Sequence, residues 1–166
     1  TEEMLNIALI TKPDMVTLVP EKRQEITTEG GLDVGSNQSQ IKQIVQSIQS
    51  ADIPVSLFID PEKKQIEASE KVGSIWVELH TGNYATASLI DQPKELAKIK
   101  EATVICKNFG LRVNAGHGLT YQNVEPIAAI EGMEELNIGH TIITRALAVG
   151  LKEAVQEMKK LISNPR

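Results

Sequence analysis

A single cysteine, Cys106, stands in the 166 residues. A lone thiol closes no internal disulfide, so a cross-linked secreted scaffold is excluded. No uncharged apolar run approaches the roughly 18 residues that a membrane span requires. Basic side chains are the minority, 17 against 22 acidic ones for a net charge of -5, whereas a large nucleic-acid footprint needs a basic surface. Glu2 and Glu3 stand where a secretory signal would be basic, so a cytoplasmic location is expected. An initiator methionine is also lacking. What is there is ordinary for a globular protein: 41% apolar and 23% charged residues, in a length that suits one domain, residues 1–166.

Two periodicities alternate along the chain. Short apolar, β-branched runs at residues 15–19, 55–59, 75–79, 111–114 and 136–138 predict five strands. Helical spacing puts Ile41, Ile44, Val45, Ile48 and Ala51 on one face, and Leu96, Ile99, Ala102, Cys106 and Phe109 on another. Leu151, Ala154, Val155, Met158, Leu161 and Ile162 form the cleanest stripe. Thr1, Asp60-Pro61 and Asp91 read as helix starts, and Gly73 and Gly110 as C-terminal caps. The order is a helix, then five βα units, with an extra short helix near Thr141–Leu147. Strict alternation of this kind means parallel strands joined by right-handed crossovers.

The strand faces refine this. Val55, Leu57 and Ile59, with Ile75, Val77 and Leu79, make apolar faces suited to covering helices. The opposite faces carry Ser56, Phe58, Asp60, Ser74, Trp76, Glu78 and His80. A mixed inner face beneath an apolar outer one suits a (β/α) barrel, yet a barrel needs eight units and about 250 residues. Two architectures therefore stay open: a complete doubly wound sheet of five strands, or the last five units of a barrel.

Ligands in parallel α/β folds bind at the carboxyl ends of the strands. All three histidines fall there: His80 after the third strand, His117 after the fourth, His140 after the fifth. Glu21, Asp60 and Glu78 occupy equivalent positions. In Asn114-Ala115-Gly116-His117-Gly118-Leu119-Thr120 the glycines admit a ligand close to the backbone and His117 is a proton donor or acceptor; the plainer reading is a glycine-rich turn. Gly139-His140 opens a helix, which suits a phosphate; the plainer reading is an ordinary cap. The polar segment 21–34, with Lys22, Arg23, Thr27, Thr28, Gly30 and Gly31, has the length of a lid. Trp76 and Cys106 read as core, and Lys159-Lys160 as a solvated face. Lys22 as a Schiff-base nucleophile of an aldolase or sugar-phosphate isomerase, or His80, His117 and His140 as a metal-binding module, are the rival functions.

Long motifs then carry a family resemblance: Leu18-Val19-Pro20-Glu21-Lys22-Arg23-Gln24-Glu25 with Thr27-Thr28-Glu29-Gly30-Gly31-Leu32-Asp33-Val34, Val55-Ser56-Leu57-Phe58-Ile59-Asp60, Glu78-Leu79-His80-Thr81-Gly82, residues 113–121 and Glu135-Leu136-Asn137-Ile138-Gly139-His140. Over essentially its whole length the chain resembles the pyridoxine 5′-phosphate synthases of the deoxyxylulose-phosphate-dependent vitamin B6 pathway. That resemblance implies an α/β fold of the (β/α)8 TIM-barrel family, here as its last five βα units without the first three strands. It implies condensation of 3-amino-2-oxopropyl phosphate with 1-deoxy-D-xylulose 5-phosphate, without metal or organic cofactor. By the same resemblance His117 is the proton donor, Glu78 stabilises charge in the transition states, Thr27 and Gly118 contact substrate, and Gly139 and His140 line the phosphate turn. The partners implied are phosphorylated small molecules and, as the family assembles, other copies in a homo-octamer, with neither nucleic acid nor membrane. The positions that the family's first three strands supply are not in this sequence, so the segment alone is expected to be inactive and poorly soluble.

Overall fold

The computed structural model describes residues 1–20 and 30–165. Its elements in chain order begin with α1 (Glu2–Thr11), β1 (Val16–Leu18), α2 (Gln38–Gln49), β2 (Val55–Ile59), α3 (Lys63–Lys71) and β3 (Trp76–His80). There follow α4 (Gly82–Thr86), α5 (Gln92–Asn108), β4 (Arg112–Gly116), α6 (Val124–Ala128), β5 (Met133–Asn137), α7 (His140–Val149) and α8 (Leu151–Ser163).

All strands are parallel and lie in the order β1-β2-β3-β4-β5. A doubly wound sheet reverses its strand order at a switch point, and this one never does. Sequential order places the crossovers on one face, as in a barrel wall. The covered face is the one the alternation predicts: Val55, Leu57, Ile59, Val77, Leu79, Val113 and Ala115 are all fully buried. They pack with Ile41, Val45 and Ile48 of α2, Ile66 of α3, Ile99, Ala102 and Cys106 of α5, and Met158 of α8. Among the described residues, no helix is long and apolar enough to cross a membrane.

Several boundaries differ from the sequence reading, each for a local reason. α3 starts at Lys63 with Glu62 at its N-cap; Asp60 stands earlier because its carboxylate is engaged by His80. α7 runs ten residues rather than a short turn, continuing until Gly150 at φ 86 breaks it from α8. α4 and α6 span five residues each, too short to show a helical period. Trp76 is not core: half-buried on the uncovered face, it lies under the Arg112 guanidinium, 3.7 Å from the ring centroid. Arg112 is in turn paired with Glu134. Ile75, Phe109 and Leu151 sit at the ends of their stripes and are exposed rather than buried. Thr1 caps α1 as read, its hydroxyl accepting from the Met4 N–H, and Asp91, Gly73 and Gly110 occupy the predicted caps.

Candidate functional site

The carboxyl ends of β2 to β5 deliver side chains to one rim. Register fixes which residues meet. Phe58 lies beside Glu78, Glu78 beside Asn114, and Asn114 beside Glu135. One step further along, His80 is level with Gly116, and Gly116 with Asn137. Because strand side chains alternate between faces, these layers share the uncovered face.

Glu78 is buried, and its Oε2 accepts a 2.7 Å hydrogen bond from Asn137 Nδ2. Burial holds its pKa above the usual carboxylate range; the Asn137 bond opposes the shift, and Glu135 adds to it. Gly116 makes this position possible, since a Cβ there would overlap Glu78 Oε1. A raised carboxyl pKa carries a stability cost whose sign is definite. The group stabilises the fold relative to the unfolded chain only below its ordinary pKa, and the contribution is lost as pH rises through the folded value. Glu78→Gln, which keeps an acceptor for Asn137 and removes the charge, is therefore expected to raise the thermal midpoint at pH 8 and leave it unchanged at pH 4. Calorimetry at the two pH values checks this.

β4 ends at Gly116, and the chain turns outward through His117, a non-glycine residue at φ 79, and Gly118 at φ 76. Left-handed backbone at a bulky residue costs on the order of 1 kcal/mol and needs outside support. Thr81 supplies it. Its fully buried hydroxyl donates to the Gly116 carbonyl at 2.7 Å and also faces the His117 carbonyl. Asn123 pins the far side of the turn, accepting from the Thr120 N–H and donating to the Gly118 carbonyl. Thr81→Val is expected to cost about 0.5–1.5 kcal/mol, the net worth of the lost hydroxyl hydrogen bond, since the Gly116 carbonyl keeps its bond from the Thr81 N–H, and to loosen the turn. A denaturation curve with a limited-proteolysis comparison reads both.

Burial, and then the neighbouring His80, lower the pKa of the His117 imidazole. Asp60 lies below the ordinary carboxylate range because His80 hydrogen-bonds it, with a further bond from the Gly31 backbone. Gly31 packs so tightly on Ile59 and Asp60 that a Cβ would strike their backbone, which places the end of the polar segment on the rim.

A cleft of about 680 Å³ opens here, lined by Glu78, His117, Gly118 and Asn137 together with Gly139 and His140. Gly139 caps α7, whose first intrahelical bond runs from the Ile143 N–H to the Gly139 carbonyl. The N–H groups ahead of that bond lie at the positive end of the helix. Five of the six site residues read from the sequence thus meet in one cleft. The sixth, Thr27, lies outside the described residues, as do Glu21, Lys22, Arg23 and Thr28. His80 is near but behind the lining. Among the described residues no three His, Cys, Asp or Glu side chains are grouped as a metal ion requires. The sequence reading missed Asn137 and Thr81 as working residues, although both stand inside quoted motifs, and it missed the Asp60–His80 bond. Continuing the Phe58–Glu78 register by two residues sets Asp60 level with His80, which is the signal that was available.

Residues 1–164 match the family model described as "Pyridoxal phosphate biosynthesis protein PdxJ". A pyridoxine 5′-phosphate synthase of Prochlorococcus marinus is 68% identical over the whole chain, which covers 68% of that relative. One of a Synechococcus species is 64% identical over the whole chain, covering 67% of it. The chain thus spans about two thirds of the length of these relatives. Among solved structures, a variant of the citrate synthase SbnG superposes with a TM-score of 0.61 at 11% identity, over 98% of this chain and 68% of that one. The Amycolatopsis orientalis BexX/CysO complex gives 0.56 at 13% identity, over 100% of this chain and 63% of that one. At such identities the likeness is one of fold alone, and it places the sheet in the (β/α) barrel class.

Proposed function

The chain belongs to the family of the pyridoxal phosphate biosynthesis protein PdxJ, and on that footing we propose that it carries the C-terminal part of a pyridoxine 5′-phosphate synthase site. Its five strands are the last five of an eight-stranded barrel. The reaction joins 3-amino-2-oxopropyl phosphate to 1-deoxy-D-xylulose 5-phosphate, with loss of inorganic phosphate and water. The observation that carries this reading is the convergence, in one cleft, of a buried carboxylate, an imidazole on a glycine-flanked turn and the open end of a helix.

Each has a task in such chemistry. The amine of one substrate adds to the ketone of the other, so no enzyme lysine is needed. The eliminations that follow place positive charge on nitrogen and carbon, which Glu78 stabilises when ionised; Asn137 holds that carboxylate in place. His117 donates the proton that a departing hydroxyl or phosphate requires. The α7 terminus, with Gly139 and His140, holds a phosphate by backbone N–H groups and the helix dipole, and Gly118 lets substrate approach the turn. Thr27 completes the substrate contacts. Such a site acts on phosphorylated small molecules, and the assembly proposed from the family resemblance is a homo-octamer.

The test is direct. The chain, complemented by a segment that supplies the first three strands of the barrel, is incubated with both phosphorylated substrates, while mass spectrometry follows pyridoxine 5′-phosphate and a phosphate assay follows the co-product. Equimolar appearance of the two supports the reading. Phosphate without the ring product, or neither, removes it. Borohydride trapping in the same mixture separates out the aldolase alternative, which would leave a substrate adduct on a lysine.

A further inference from the structure

The three consecutive residues that follow Leu79 each touch the His117 turn in a different way. Thr81 holds its carbonyl. Gly82 leaves room: a Cβ there would overlap His80 Nε2 and come within 3.4 Å of His117 Cδ2. His80 itself is 5% exposed, with its ring centroid 5.2 Å from that of His117. Phe58 closes the group, 5.1 Å from the His80 ring and 6.4 Å from the His117 ring.

The two nitrogens of His80 are unequally placed. Nδ1 lies 2.9 Å from Asp60 Oδ1. An ionised carboxylate only accepts, so Nδ1 carries the hydrogen and Nε2 is left as an acceptor. Nε2 is buried and, among the described residues, has no hydrogen-bond partner. A buried polar atom without a partner is expensive and calls for a reason. His80 does not line the cleft, so whatever it does there passes through His117.

We propose, resting on the synthase reading of the cleft, that Asp60 and His80 form a positioning pair that fixes the ring of His117 and tunes how readily it gives up its proton. Asp60 sets the tautomer and orientation of His80. The His80 ring, wedged by Phe58, sets the orientation of His117. Desolvation, and after it the neighbouring His80 ring, disfavour the protonated form of His117. Among the described residues, the other charged or titratable groups facing this pair are few. Glu78 comes from β3, with Glu135 of β5 behind it, and His140 comes from α7 across the cleft. α4 approaches them through Gly82 and Ala85, while its Tyr84 hydroxyl donates to the Asn123 carbonyl instead.

The experiment reads His117 alone and requires no turnover. Diethyl pyrocarbonate modifies neutral imidazole, and peptide-resolved mass spectrometry of the intact protein gives the pH midpoint for the exposed His117. His80→Gln is expected to raise that midpoint by about half a pH unit, a roughly threefold slower modification on the acid side. His80→Asn, whose shorter amide still reaches toward Asp60, serves if the first variant folds poorly. In Asp60→Asn, the ¹⁵N shifts of His80 are expected to change from a single Nδ1–H tautomer to a mixture. An unchanged His117 midpoint in the folded His80 variants, or an unchanged His80 tautomer in the Asp60 variant, overturns the proposal. A protein that shows both shifts but forms no pyridoxine 5′-phosphate when complemented by the first three strands loses the synthase reading and keeps the pair.

Discussion

In the chain complemented by the first three strands, His117→Asn is expected to lower kcat for ring formation by roughly 10²–10⁴-fold, the usual worth of a general acid, with little change in stability. The choice of asparagine follows from the backbone. At φ 79 an alanine would carry the same strain as the histidine, whereas asparagine is one of the residues that tolerate left-handed geometry. Thr81 continues to hold the turn, so the fold is preserved while the imidazole is gone. If His117 acts only in the transition state, kcat and kcat/KM fall together and KM stays within a few-fold of its value. Activity that depends on protonated His117 falls as pH rises through its pKa, and burial places that limb below the ordinary histidine range. The variant should lose the limb altogether. Steady-state kinetics across pH, with a melting curve at each, decides. A variant retaining more than about a tenth of kcat would remove His117 from the proton-donor role.

The legible part of this molecule was the part written in periodicity and in strand ends. Val55-Leu57-Ile59 and Val77-Leu79 announced an outer face because alternation has no other use for two rows of fully buried aliphatics. The histidines were found because a parallel strand ends where its ligands bind. What stayed hidden depended on pairing between strands far apart in sequence. Asn137 and Glu78 are 59 residues apart, and nothing local in either segment announces the bond. Thr81 looked like the first residue of a turn, while its work is done on carbonyls 35 and 36 residues away. Trp76 was misplaced because large aromatics are usually core, yet its place at the start of β3 on the uncovered face sets it beside Arg112 instead. The choice between an open doubly wound sheet and a barrel wall was beyond periodicity altogether. Both give alternating βα units; the long family motifs and then the observed strand order separate them.

Gly116→Ala should damage the site directly, and the reason is space rather than backbone strain. The added Cβ would overlap Glu78 Oε1 and would lie 3.0 Å from the Asn137 carbonyl oxygen and 3.1 Å from the Asn137 Cβ. Neither partner is the far end of a flexible surface chain. Glu78 is buried and hydrogen-bonded, and Asn137 ends a paired strand. Overpacking of this kind costs about 1–3 kcal/mol, or a melting point lower by about 2–4 °C for each kcal/mol in a chain of this size. Moving Glu78 also breaks its bond to Asn137 and misplaces the carboxylate that faces the cleft, so kcat is expected to fall at least tenfold, in line with the cost of small displacements in an active site. A double-mutant cycle isolates the cause. Glu78→Ala removes the atom with which the methyl group collides, so the stability lost in Gly116→Ala should be largely recovered when the two changes are combined, a positive coupling between neighbours. Activity should stay low in all three variants, because the carboxylate is displaced in one and absent from the other two. Additive stability losses would mean that the glycine serves the strand and not the carboxylate, and Glu78 would then owe its position to Asn137 alone.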